Sequence, residues 1–188
     1  DTEKANRGYS SAFIASLRFP ARRENRRGSR RFGQRLIQTG MPNYPEFKNQ
    51  NVLVTGGANG IGAAIVRAFH QEGARVFFCD IDVKAGHKLA AELGGGVFFK
   101  KVDLLKEKEI CPWVAQIKAR CRQIHVLVNN AAADPRMALE ATSVKDWDRL
   151  FARNLRAYFL TSRETVKAMA RGASIINLAS TAFHIAPA

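Results

Sequence analysis

From Asn51 onward the chain alternates between short, continuously apolar runs and longer stretches with helical spacing. Asn51–Thr55, Arg75–Cys79, Val97–Val102, Ile124–Val128 and Ser174–Leu178 are β-branched or aromatic runs bounded by glycine or polar residues, the texture of buried strands. Between them, Ile61, Ile65, Ala68 and Phe69 share one helical face that stops at Gly73. Val83–Leu93 predicts a second helix, ended by Gly94-Gly95-Gly96, and Ile110, Trp113, Val114, Ile117 and Cys121 mark a third. Val144, Trp147, Leu150 and Phe151 open a further helix with Ser143 as N-cap and Asp146 three residues on. Leu155, Tyr158, Phe159, Ser162, Val166 and Met169 extend that helical face towards Gly172, and this face, like the one through Trp113, is expected in the core. Strand–helix alternation with apolar strands predicts an α/β fold, a parallel sheet covered on both faces, and right-handed crossovers make it doubly wound.

The first strand runs into Thr55-Gly56-Gly57-Ala58-Asn59-Gly60-Ile61-Gly62 at the start of the first helix. Glycines at this junction let backbone N–H groups approach a pyrophosphate lying on the helix N-terminus. No Gly-Lys-Ser/Thr follows, which excludes a Walker loop. Asp80 closes the second strand at about the 20-residue distance expected of an acid that accepts from the adenosine ribose hydroxyls. No Arg or Lys lies between Gly56 and Gly62 to offset its repulsion of a 2′-phosphate. The expected cofactor is therefore NAD rather than NADP, with Asp82 a solvated residue at the next helix start.

The pattern Thr-Gly-x-x-x-Gly-x-Gly, with Asn129-Asn130-Ala131-Ala132 after the fourth strand, resembles the short-chain dehydrogenase/reductase family over about residues 46–188. The resemblance implies a Rossmann-type domain and an NAD-dependent oxidoreductase transferring hydride between the cofactor and a small alcohol or carbonyl substrate. It implies cofactor contacts from Gly56, Asn59, Gly60, Ile61, Gly62, Asp80 and Ile81, from Asp103 and Leu104 towards the adenine, and from Asn130 and Ala131 along the ribose. Asn154 matches the asparagine whose carbonyl holds a water in the family's proton relay. Ser180, closing Ile175-Ile176-Asn177-Leu178-Ala179-Ser180, matches the serine that polarises the substrate oxygen. Ala132 departs from the family's usual glycine, and Val128–Arg136 resembles aldose 1-dehydrogenases, which points to a sugar. The family's acid/base tyrosine and its lysine are expected about 13 residues past Ser180, beyond Ala188, so residues 1–188 read as a fragment inactive alone. Family members are commonly tetramers through the helices here spanning 144–171, which implies a homo-oligomer.

Charge changes the picture only at the front. The formal charge of +14 comes from 30 Lys and Arg against 16 acids, and residues 1–40 hold 10 of the bases and 3 of the acids. This arginine-rich head is expected to be poorly ordered. It reads as part of an organelle-targeting segment, as a phosphate-neutralising arm, or as non-native sequence ahead of a start at Met41. The domain organisation expected is thus a 1–40 head and a 41–188 dinucleotide-binding body, cytoplasmic unless the head is a transit segment. Two other functions remain open on the sequence: a non-catalytic dinucleotide sensor, and nucleic-acid binding through the head. No apolar stretch approaches the ~18 residues of a membrane span. Three cysteines without C-x-x-C spacing and four scattered histidines predict neither a disulfide framework nor a metal site. His184 reads as a loop histidine, Asp134 and Arg136 as pocket or solvated loop residues, and Lys100, Lys101, Lys106 and Lys108 as solvated surface.

Overall fold

A computed structural model describes residues 44–135 and 137–180. The arginine-rich head, Arg136 and His184 lie outside the described residues. Five strands form one parallel sheet in the order β3-β2-β1-β4-β5. They are β1 (Asn51–Thr55), β2 (Arg75–Asp80), β3 (Val97–Lys101), β4 (Ile124–Asn129) and β5 (Met169–Asn177). The crossover helices are α1 (Gly60–Gln71), α2 (Val83–Leu93) and α3 (Glu107–Cys121). Between β4 and β5 the chain forms α4 (Val144–Phe151), a π-helical segment (Ala152–Arg156) and α5 (Ala157–Val166).

Alternation along each strand divides the core between two helical layers. On one face Leu53, Phe77, Ile124 and Leu127 pack with Ile110, Trp113 and Ile117 of α3 and Leu160 of α5. On the other, Gly86 of α2 lies so close to Phe99 that a methyl group there would overlap the ring. The buried strand centre, Val52–Val54 and Val76–Cys79, has no polar face, as a sheet covered on both sides requires.

The order of strands reverses direction at β1: the chain winds outward to β2 and β3, then returns to β4 and β5. At such a switch point the loops leaving the carboxyl ends of β1 and β4 turn opposite ways and leave a crevice between them. In-register pairing of Val52–Val54 with Val126–Val128 brings Thr55 and Asn129, and hence the two loops, level with each other.

Two expectations are corrected. The helical face drawn from Leu155 to Met169 does not extend to Gly172: α5 ends at Val166, and Met169–Gly172 already belong to β5. Nor does that stripe face the core. Val144, Trp147, Phe151, Leu155, Phe159 and Val166 are exposed, whereas Ala157, Leu160, Thr161 and Thr165 are buried. Thr161 can sit inside because its hydroxyl donates to Asn129 Oδ1 at 2.6 Å, which removes the cost of burying an unpaired polar group. No helix among the described residues is long and apolar enough to cross a membrane.

Candidate functional site

The loop after β1 is held from three sides. Gly56 adopts φ +65°, and a Cβ there would stand 2.8 Å from Ala131 Cα. A Cβ on Gly62 would overlap the Gly56 carbonyl oxygen. Asn130 Nδ2 donates to the carbonyls of Thr55 and Gly56, each at 2.9 Å. The Thr55 hydroxyl in turn accepts from the N–H groups of Asn130 and Ala131, at 3.0 and 3.1 Å. The loops after β1 and β4 are thereby joined through side chains of both.

Asp80, at the tip of β2, fastens the far side of the turn. Its Oδ2 accepts from Ala58 N and its Oδ1 from Asp82 N, both at 3.0 Å. Asp82 caps α2 by accepting from Ala85 N at 3.0 Å and also accepts from Asn59 Nδ2 at 3.1 Å. These bonds hold its carboxyl below the ordinary range, the Ala85 N–H foremost. With its side chain turned to Asp82, Asn59 makes no capping bond to α1, and the first turn of α1 carries no acid. The positive end of that helix therefore faces the crevice without a side-chain cap among the described residues, an arrangement suited to an anionic ligand.

Beyond β3, Asp103 Oδ1 accepts from Leu105 N at 3.1 Å, and Lys106 lies 3.3 Å from Oδ2. Lys106, exposed as expected, also pairs with Glu109 at 3.4 Å in a small surface ion-pair network. On the β4 side, Asn154 sits inside the π-helical segment and binds both backbone groups of Ala133. Its Oδ1 accepts from Ala133 N at 2.9 Å and its Nδ2 donates to Ala133 O at 2.8 Å. Asn129 Nδ2 donates to Asn177 Oδ1 at 2.8 Å and to the Ser162 hydroxyl at 3.0 Å, tying β4 to β5 and α5.

The crevice is a cleft of about 390 Å³ whose lining includes Gly56, Asn59, Ile61, Gly62, Asp80 and Ile81 together with Asp103, Leu104, Asn130 and Ala131. Of the residues expected around a cofactor, Gly60 alone is off the wall; at φ +53° it shapes the turn, with open space where a Cβ would stand. Ile61, placed on the apolar face of α1 and also among the expected cofactor contacts, is exposed and lines the cleft. Asn154 stands behind the wall, and Ser180 is exposed just past the carboxyl end of β5. Val102, Leu105, Ala132 and Arg153 also line the cleft. Sequence reasoning missed Val102, Leu105 and Arg153, because only the tertiary fold brings residues so far apart in the chain to one cleft.

The sequence does contain one Tyr-x-x-x-Lys spacing, Tyr44 to Lys48. It precedes β1 at the opposite end of the sheet, where Tyr44 N donates to Glu72 and Lys48 lies against Gly73. Tyr158 is nearer, but its hydroxyl lies 3.4 Å from the Leu178 carbonyl and burial raises its pKa, the wrong direction for a base. No cluster of metal-ligating side chains occurs among the described residues.

A parallel sheet with a switch-point cleft, a glycine turn and an acid at the tip of β2 defines a dinucleotide-binding domain of the Rossmann class. The short chain dehydrogenase family model matches residues 50–187. The chain is 40% identical over 146 residues to the probable galactose dehydrogenase of Rhizobium meliloti, covering 74% of this chain and 57% of that protein. It is 33% identical over 147 residues to D-xylose 1-dehydrogenase of Caulobacter vibrioides, covering 76% and 58%. A solved short-chain dehydrogenase/reductase, a glucose/ribitol dehydrogenase from Brucella melitensis, superposes with a TM-score of 0.72 at 30% identity, over 76% of this chain and 62% of that one. The chain belongs to the short-chain dehydrogenase/reductase family. It spans a little over half the length of these relatives.

Proposed function

We propose that the chain is the cofactor-binding body of an NAD-dependent oxidoreductase that moves hydride between the nicotinamide and a small alcohol or carbonyl, in particular a sugar. The observation that carries this reading is the uncapped, acid-free head of α1, framed by Gly56 and Gly62 and faced by Asp80. The diphosphate lies on the N–H groups of that first turn, where only glycine leaves room for it. Asp80 uses one lone pair of each oxygen on the turn, leaving others for the ribose hydroxyls. Asp103 and Leu104 form the adenine end, and Asn130 and Ala131 run beside the ribose.

When bound, the nicotinamide supplies or accepts the hydride. Ser180 positions and polarises the substrate oxygen from the end of β5, and Asn154 presents its backbone carbonyl to a relay water while its side chain holds Ala133. The sugar assignment rests on the relatives named as galactose and D-xylose dehydrogenases. The exposed face of α4 and α5, Val144 to Val166, is the surface on which a second copy docks.

Direct titration tests the cofactor. NADH is expected to bind more tightly than NADPH, because a carboxylate and a phosphate charge ~4 Å apart repel by about 4 kcal/mol at an effective dielectric of ~20. Asp80→Asn should narrow that preference by roughly tenfold or more. Tighter NADPH binding by the unmodified chain would overturn the assignment. Aldose-dependent NADH formation by an active polypeptide containing this chain tests the substrate, and inactivity towards every aldose sinks the sugar reading.

A further inference from the structure

Arg153 has no role in the reading above, yet it stands on the wall of the cleft. It is half-buried within the π-helical segment, and among the described residues it makes no ion pair and no side-chain hydrogen bond. Other described bases, Arg149, Arg156 and Arg171 among them, also lack an ion pair, but none of them lines the cleft. Among the lining residues Arg153 is the single base, against the acids Asp80 and Asp103. A half-buried guanidinium without a partner among the described residues, beside a cleft that otherwise presents acids, is a group that a ligand completes.

The local fold keeps it there. A π-helical turn adds a residue to the helical circuit and re-aims the side chains it carries. Asn154, the next residue, is bonded to both backbone groups of Ala133, so the backbone at 153 cannot drift from the loop that lines the cleft. The lining of the cleft also includes Val102, Leu104 and Leu105, apolar side chains suited to a flat heterocycle. A guanidinium is planar, weakly hydrated and stacks on aromatic faces, where a lysine ammonium acts as a point charge.

We propose that Arg153 binds the adenosine half of the dinucleotide, its guanidinium lying against the adenine face. This rests on the dinucleotide reading of the cleft. The test is calorimetric titration of NADH, with AMP as a competitor, into the unmodified chain, Arg153→Met and Arg153→Lys. Arg153→Met should weaken NADH by about 3- to 30-fold, the range of a partly desolvated cation–π contact, and should raise the AMP inhibition constant by the same factor. Arg153→Lys should recover only part of the loss. Melting temperatures should match across the three, since Arg153 supports no other described side chain. Unchanged NADH affinity in Arg153→Met overturns the inference, as does weakened NADH binding with unaltered AMP competition. If the unmodified chain binds no NADH at all, the dinucleotide reading itself fails, which is a distinguishable result.

Discussion

Gly62→Ala places one methyl group where the structure has no space for it. The new Cβ would overlap the Gly56 carbonyl oxygen and stand 2.6 Å from Asn130 Nδ2. Neither neighbour can yield cheaply: the carbonyl is backbone, and the amide holds both Thr55 and Gly56. Overpacking of this kind costs about 1–3 kcal/mol, and displacing Asn130 from its acceptors adds about 1 kcal/mol. A domain of this size loses roughly 3 °C of melting temperature per kcal/mol, so the melt followed by circular dichroism should fall by roughly 10 °C. NADH binding should weaken in parallel, because the Gly56 carbonyl and the α1 head move together. Gly60→Ala is the control: its Cβ meets nothing within 4 Å, and only its φ of +53° opposes the change, costing about 1 kcal/mol. Equal melting temperatures for the unmodified chain and Gly62→Ala would refute the close-approach argument. A Gly60→Ala defect as large as that of Gly62→Ala would refute it equally.

His125 Nδ1 accepts from Asn51 N at 3.0 Å, and burial holds its pKa below the ordinary 6.5. Below that value the unfolded chain binds the proton first, so this contribution to stability is intact at neutral pH and is lost on acidification through the folded pKa. His125→Asn offers an acceptor that does not titrate, and its melting temperature should fall less between about pH 7 and about pH 5; parallel curves would count against the argument. Trp147 packs against Phe151 with tilted rings whose centroids are 4.5 Å apart on the exposed face of α4, and Trp147→Lys should shift sedimentation towards monomer; an unchanged distribution removes this face as the docking surface.

The strand starts and the turn chemistry were legible from residue type alone. Val52–Val54 and Arg75–Cys79 have no polar alternation to mislead, and the glycines and Asp80 carry their reasons in their spacing. The α4–α5 region was misread because period cannot tell which side of a helix meets the sheet. Its apolar stripe, Trp147 to Val166, faces away, and a threonine with an internal acceptor takes the buried place. Arg153 stayed hidden for a related reason: the π-helical offset that sets its direction has no residue signature, and an arginine in a helix reads as solvated surface. Ser180 and Asn154 were singled out by resemblance, and the side chain of Asn154 holds both backbone groups of Ala133.

The two N–H bonds to Asp80 and the two carbonyl bonds to Asn130 brace the turn with groups of the chain itself. The receiving loop thus has its working shape before encounter, and the ordering cost that a floppy glycine turn would impose at the moment of association is already met during folding. Capture should then be a single bimolecular step whose rate is set by diffusion and orientation rather than by a slow closing of the loop. Differences in affinity between related ligands should accordingly appear as differences in residence time.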